Sequence, residues 1–295
     1  MLGIINNMDT NDLLKRVRKI EIKTRGLSRH IFAGEYHSAF KGRGMAFSEV
    51  REYQYGDDIR NIDWNVTARF NHPYIKVFDE ERELTVMLLV DVSGSREFGT
   101  AVRFKKALIA EISAVLAFSA TQNNDKVGVI LFSDKVEKFI PPKKGRQHIL
   151  RVIRELIEFT PERTQTDVAV ALQYLTNAIK KRSTVFVISD FISPQFEDAL
   201  KIASRKHDVV ALRIYDAHEA TMPAIGLVQF RDAETGQTIW ADTSSVKVRQ
   251  QYEQHWNGIR RRLDELFRRS GIDNALIRTD EDYVKPMMKL FKQRG

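Results

Sequence analysis

The chain has 295 residues, 43% of them hydrophobic and 29% charged, values that exclude disorder and collagen-like repeats and allow a sizeable core. Its 47 Lys and Arg against 39 Asp and Glu give a formal net charge of +8, a mild excess that reads first as basic side chains scattered over a soluble protein. The absence of cysteine excludes a disulfide scaffold, cysteine zinc sites and thiol nucleophiles, and fits a reducing, cytoplasmic compartment.

The N-terminal stretch MLGIINNMDTNDLLKR is too briefly apolar for a secretory signal. The most apolar windows, Leu84 to Val90 and Ala107 to Ala120, are too short to cross a membrane, and Glu111 interrupts the second. Leu13, Leu14, Val17 and Ile20 predict a first helix, followed by an irregular polar segment from about Thr24 to Asn71. Tyr74 to Phe78 reads as an edge strand, joined by the charged turn Asp79-Glu80-Glu81-Arg82 to the first core strand.

Leu84 to Val90, Val127 to Phe132, Val185 to Ile188 and Val209 to Ile214 are short, rich in β-branched residues and apolar on both faces. Such runs are strands of a parallel sheet covered on both sides. Helical spacing falls between them at Phe104, Leu108, Ile112 and Val115, at Ile149, Ile153, Leu156 and Ile157, and at Val168, Leu172, Leu175 and Ile179. Ser193-Pro194 predicts an N-cap and first residue for another helix reaching about Lys206. Leu227 to Phe230 and Thr238 to Trp240 flank Ala233-Glu234-Thr235-Gly236 as a hairpin. A long helix lines Trp256, Ile259, Leu263 and Leu266 against a basic face of Arg260, Arg261, Arg262, Arg268 and Arg269, and a last helix carries Val284, Met287, Met288 and Phe291.

The repeating strand, helix, strand order predicts a doubly wound, mostly parallel α/β sheet with an irregular N-terminal extension and a late β-hairpin. With no repeat or low-complexity linker, residues 1–79 form an extension and residues 80–295 the sheet domain.

The first core strand ends in Asp91-Val92-Ser93-Gly94-Ser95, three oxygen-bearing side chains at alternating positions where open α/β sheets place their ligands. Thr166-Asp167 precedes the Val168 helix and Asp190 ends the strand Val185 to Ser189, so both fall at the same carboxyl edge. A hard cation such as magnesium takes oxygen ligands and retains waters, which suits one carboxylate, hydroxyls and a second acidic residue.

This ordered set resembles the von Willebrand factor A domain with its metal-ion-dependent adhesion site. The resemblance implies that Asp91, Ser93, Ser95, Thr166 and Asp190 surround one divalent cation, Mg2+ or else Mn2+ or Ca2+, directly or through water. Many A-type domains carry Met after the second Ser, where this chain has Arg96.

Upstream, Gly42-Arg43-Gly44, Phe47, Arg51-Glu52-Tyr53, Gly56-Asp57-Asp58-Ile59-Arg60, Ile62-Asp63-Trp64, Ala68-Arg69 and Glu80-Glu81-Arg82 resemble the signature of the bacterial family called domain of unknown function 58, which joins such a preamble to an A-type domain. That resemblance implies an adaptor of a MoxR-type AAA+ ATPase, encoded beside it in operons often linked to aerotolerance. The partner is then a protein, the ATPase or an acidic ligand protein, with association to membrane proteins arising through partners. Asp57, Asp58, Arg60, Asp63 and Arg69 are dense enough for a buried or half-buried ion network anchored by Trp64, read either as a fastening to the sheet or as a second binding surface.

Other chemistry finds little support. There is no G-x-x-x-x-G-K-[ST], Gly42-Arg43-Gly44 lacks the third glycine of a dinucleotide loop, and Ser95 lacks the closing glycine of a nucleophile elbow. No histidine pair has metal-ligand spacing. The expectation is a non-enzymatic interaction module, set against a metal-dependent phosphoesterase and against nucleic-acid binding by the Arg260 to Arg269 face. That last reading lacks interleaved exposed aromatics, so no nucleic acid is expected.

Overall fold

A central six-stranded sheet forms because its strands carry apolar side chains on both faces and so must be covered on both. The structure, a computed structural model, describes residues 10–27, 36, 38–40, 46–79, 84–94, 105–231 and 237–294. In chain order the sheet takes β3 (Thr85–Asp91), β4 (Lys126–Phe132), β5 (Val136–Lys143), β6 (Thr184–Ser189), β7 (Asp208–Tyr215) and β10 (Asp273–Arg278), spatially ordered β10-β7-β6-β3-β4-β5. All neighbours are parallel except β4 and β5. This is the doubly wound α/β arrangement that the sequence predicts.

Alternation along β3 divides the core into two. Val86, Leu88 and Val90 join the cluster under α1 (Thr10–Leu27), α3 (Lys105–Gln122), α4 (Arg146–Glu158) and α9 (Val284–Arg294). Met87 and Leu89 join the cluster under α5 (Val168–Ala178), α6 (Glu197–Lys206) and α8 (Val246–Ser270). Helix α3 is buried nearly all round because α1 packs over it, with Lys23 paired to Glu111 at 2.7 Å and Arg146 of α4 paired to Glu21 of α1. Among the described residues, no helix is long and apolar enough to cross a membrane.

The chain divides into two compact units, one holding residues up to Phe40 together with those from Leu84 onward, the other Lys41–Glu83. In the second, β1 (Ala46–Glu52) pairs antiparallel with β2 (Tyr74–Asp79), and α2 (Trp64–Phe70) lies between them in sequence. The segment expected to be irregular thus contains a strand and a helix. The predicted edge strand Tyr74 to Phe78 pairs with β1 in a separate two-stranded sheet; the residues of its charged turn from Glu80 lie outside those described.

The predicted ion network resolves into local pairs. Arg51 grips Asp57 through two bonds of 2.8 and 2.9 Å, Asp58 binds Arg60 and caps a short 3-10 turn, and Asp63 caps α2 and lies 3.5 Å from Lys76. Arg69 is exposed in the last turn of α2, and Trp64 is 70% exposed, so it anchors no buried network. The cause is spacing: Asp58 and Asp63 sit where a turn and a helix begin, and their oxygens answer the nearest backbone N–H groups.

Three other expectations shift. The Ser193-Pro194 helix starts at Glu197, because the Ser193 hydroxyl accepts from Val168 N–H at 3.1 Å instead of capping its own helix. Strands β5 and β10 carry too few consecutive apolar residues to be read from the sequence. The late hairpin forms as β8 (Leu227–Arg231) with β9 (Thr238–Asp242), its central turn residues lying outside those described.

His207, at the end of α6, is 1% exposed, and neither ring nitrogen has a hydrogen-bond partner among the described residues. Burial, then the charges of Lys206 and Arg182, pull its pKa down from 6.5 to about 4. Between those values the unfolded chain binds a proton that the folded one refuses, so stability falls as pH falls through this window, by roughly 3 kcal/mol in all. Urea unfolding of the wild type and His207→Leu from neutral pH to pH ~4 measures this: the variant is expected to show the shallower loss, and parallel curves would contradict the assignment.

Candidate metal centre

The carboxyl ends of β3, β4 and β6 meet at one edge, and backbone hydrogen bonds tie their loops together. Gly94 N–H donates to Thr164 C=O at 2.8 Å, Asp167 N–H to Ser133 C=O at 2.9 Å, and Val92 N–H to Phe132 C=O at 2.8 Å. With the Val168 bond to Ser193, these fix the approach to α5 between the β3 and β6 loops. Thr166 is thereby carried to the edge that Asp91, Ser93 and Asp190 already occupy, and all four residues are buried.

Asp91 is held in place. Its Oδ1 accepts Ser93 N–H at 2.9 Å, its Oδ2 accepts the Ser189 hydroxyl at 2.6 Å, and the Ser93 hydroxyl reaches it as well. Burial, then the nearby charge of Asp190, push its pKa up to about 6 against these bonds. Asp190 accepts Ile192 N–H on Oδ1 at 3.1 Å. Asp167 N-caps α5, accepting from Ala169 and Val170 N–H, which fixes the helix that Thr166 precedes. Ser95, the third member of the DxSxS set, and Arg96 lie outside the described residues.

The β6 loop turns at Phe191, whose φ of +60° is a left-handed conformation costing a bulky residue about 1–3 kcal/mol. Aromatic packing against Phe196 and edge-on against Phe267, 5.2 Å between centroids, holds it there. The turn directs Phe191 N–H to Ser189 Oγ and leaves Asp190 facing Asp91 across the loop.

Two residues that sequence reasoning missed complete the edge. Lys105, the first residue of α3, is 2% exposed, its Nζ 3.2 Å from Asp190 Oδ2 and 2.5 Å from Glu219 Oε1. Burial pulls this ammonium toward neutrality, but the two carboxylates outweigh it and its pKa is raised. Burial raises Glu219 too, against the pull of Lys105. Glu219 lies in α7 (Ala217–Ala220), where it closes a capping box with Asp216. Signals for both exist: Lys105 shares the inward register of Ile109 and Ile112, where a lysine is out of place, and Asp216-x-x-Glu219 is a capping-box spacing.

A divalent cation suits this donor set. Two buried carboxylates and two hydroxyl-bearing residues, all oxygen, face one edge. Counting Glu219, three carboxylates stand against one ammonium, a formal charge of −2; the Asp91 pKa is raised first by burial and then by the charge of Asp190. No group of three or more His, Asp or Glu gathers as a metal-holding cluster among the described residues. Glu219 is turned to Lys105.

The basic face of α8 is partly neutralised, Arg262 pairing with Glu197 of α6 and Arg269 with Glu265 of α8 itself. Phe267 is buried and Trp256 stacks on Tyr215 at 5.7 Å, so neither is an exposed platform.

Comparison with known proteins supplies relatives. The family model described as "Protein of unknown function DUF58" matches residues 49–262. The "Uncharacterized protein Rv1480" of Mycobacterium tuberculosis (strain ATCC 25618 / H37Rv) is 28% identical over 292 residues, 98% of this chain and 92% of the relative. Among solved structures, the conserved hypothetical protein BatB from Bacteroides thetaiotaomicron is 16% identical over 72% of this chain and 98% of its own, with a TM-score of 0.45. The SpRpn10 VWA domain is 12% identical over 72% and 95%, with a TM-score of 0.42.

Proposed function

The chain belongs to the DUF58 family, and from that premise we propose that it is a non-enzymatic, divalent-metal-dependent protein-interaction module serving a MoxR-type AAA+ ATPase. The observation that carries the reading is the convergence of Asp91, Ser93, Thr166 and Asp190, buried, at one sheet edge with a formal deficit of positive charge. Those four, with Ser95, are the residues that would hold one Mg2+, or Mn2+ or Ca2+. A bound cation supplies an open coordination position that an Asp or Glu of the partner completes.

The chain's own groups orient this edge. Ser189 and Ser93 fix Asp91, and Ile192 N–H fixes Asp190. A binding role is favoured over hydrolysis because Asp91 and Asp190 are assigned to the cation, Asp167 caps the start of α5, and Glu219 is held by Lys105 and Asp216 N–H. Each of the four thus has a role other than that of a general base. A cytoplasmic location follows from an ATPase partner.

Immobilised chain, offered a MoxR-type ATPase, is expected to retain it in magnesium, to release it in chelator, and to fail as Asp91→Ala. Retention indifferent to chelator would move the partner surface away from this edge, and no retention would remove the ATPase from the account.

A further inference from the structure

We propose that Lys105 and Glu219 tune, in opposite senses, the cation affinity of the centre formed by Asp91 and Asp190, an inference resting on the metal reading above. Lys105 Nζ lies 3.2 Å from Asp190 Oδ2 and 2.5 Å from Glu219 Oε1, with its side chain buried. Glu219 is not positioned to leave this pair. Its Oε2 accepts Asp216 N–H at 2.9 Å, while Asp216 accepts His218 N–H at 2.9 Å and the Thr279 hydroxyl at 2.6 Å. The ammonium and Glu219 thus form a fixed couple beside Asp190, and Asp190 alone is shared between that couple and the cation position.

Each member acts on an incoming cation with a definite sign. The ammonium is a like charge within hydrogen-bonding distance of a candidate ligand oxygen, so it weakens cation binding. Glu219 is an opposite charge one ammonium farther away, so it strengthens binding. Because the couple is neutral as a whole, Asp91 and Asp190 keep a formal charge of −2 that a divalent ion balances and a monovalent ion does not. The preference for divalent charge thus rests with Asp91 and Asp190, while Lys105 and Glu219, without donating a ligand, act in opposite senses on the affinity of that pair.

A charge cycle tests this. Mn2+ alone is titrated calorimetrically into the full chain as wild type, Lys105→Met, Glu219→Gln and the double variant, with far-UV circular dichroism confirming folding. Coulomb energies at these separations predict Kd about tenfold tighter in Lys105→Met, about tenfold weaker in Glu219→Gln, and within about threefold of wild type in the double variant. If Lys105→Met does not fold, Lys105→Arg keeps the charge and is expected to keep the wild-type Kd, with Glu219→Gln carrying the comparison. Equal Kd in every folded variant, with the wild type binding Mn2+, would overturn the role of the couple and leave the metal reading intact. Absence of binding in the wild type would overturn both.

Discussion

Lys105→Met is expected to cost the fold about 3–5 kcal/mol, because it leaves two buried carboxylates without their counter-charge. The native arrangement has Lys105 Nζ between Asp190 and Glu219, with side-chain exposures of 2%, 2% and 15%. Removing the ammonium leaves three acidic groups in one desolvated region, Asp91 being the third. At the size of this chain such a loss lowers the melting temperature on the order of 10 °C. Adding Glu219→Gln to Lys105→Met is expected to recover part of the cost, since one of the stranded charges disappears while the amide oxygen still accepts Asp216 N–H. Urea denaturation of the four corners of this cycle reads the coupling directly. A loss below about 1 kcal/mol in Lys105→Met would mean that the pair behaves as a solvated surface bridge.

Much of this architecture is legible in the sequence, and the reason is burial. Strands β3, β4, β6 and β7 are apolar on both faces because helices cover both, so they stand out as continuous runs. Strand β5 is half covered and interrupted by Pro141 and Pro142, and β10 alternates half-buried and buried residues after an exposed first position, so neither leaves such a trace. Strand β1 and helix α2 are hidden for a related reason: their unit buries little apolar surface, α2 contains no buried residue, and Trp64, Ile59 and Phe70 stay exposed.

At the candidate centre, motif order brings Asp91, Ser93, Thr166 and Asp190 to one edge, because a parallel sheet delivers every strand's carboxyl end to the same side. It does not supply Lys105, which reaches Asp190 from a helix start 85 residues before it, or Glu219, which binds that lysine from 29 residues after Asp190. Nor could it supply the left-handed turn at Phe191, which no local residue preference favours and which the packing of Phe196 and Phe267 sustains together with the bond to Ser189.

The claim on which the rest depends is that this edge binds a divalent cation. One-site binding at a hundredfold excess over Kd stabilises the folded chain by about 2.7 kcal/mol, enough to shift its melting temperature by roughly 5–10 °C. Asp91→Ala removes the carboxylate that Ser93 and Ser189 hold in place and is expected to abolish the shift while keeping the fold. The decisive measurement is the melting temperature of wild type and Asp91→Ala in chelator and in saturating magnesium or manganese. The account predicts a rise in the wild type alone; no rise in the wild type, or an equal rise in both, would contradict it.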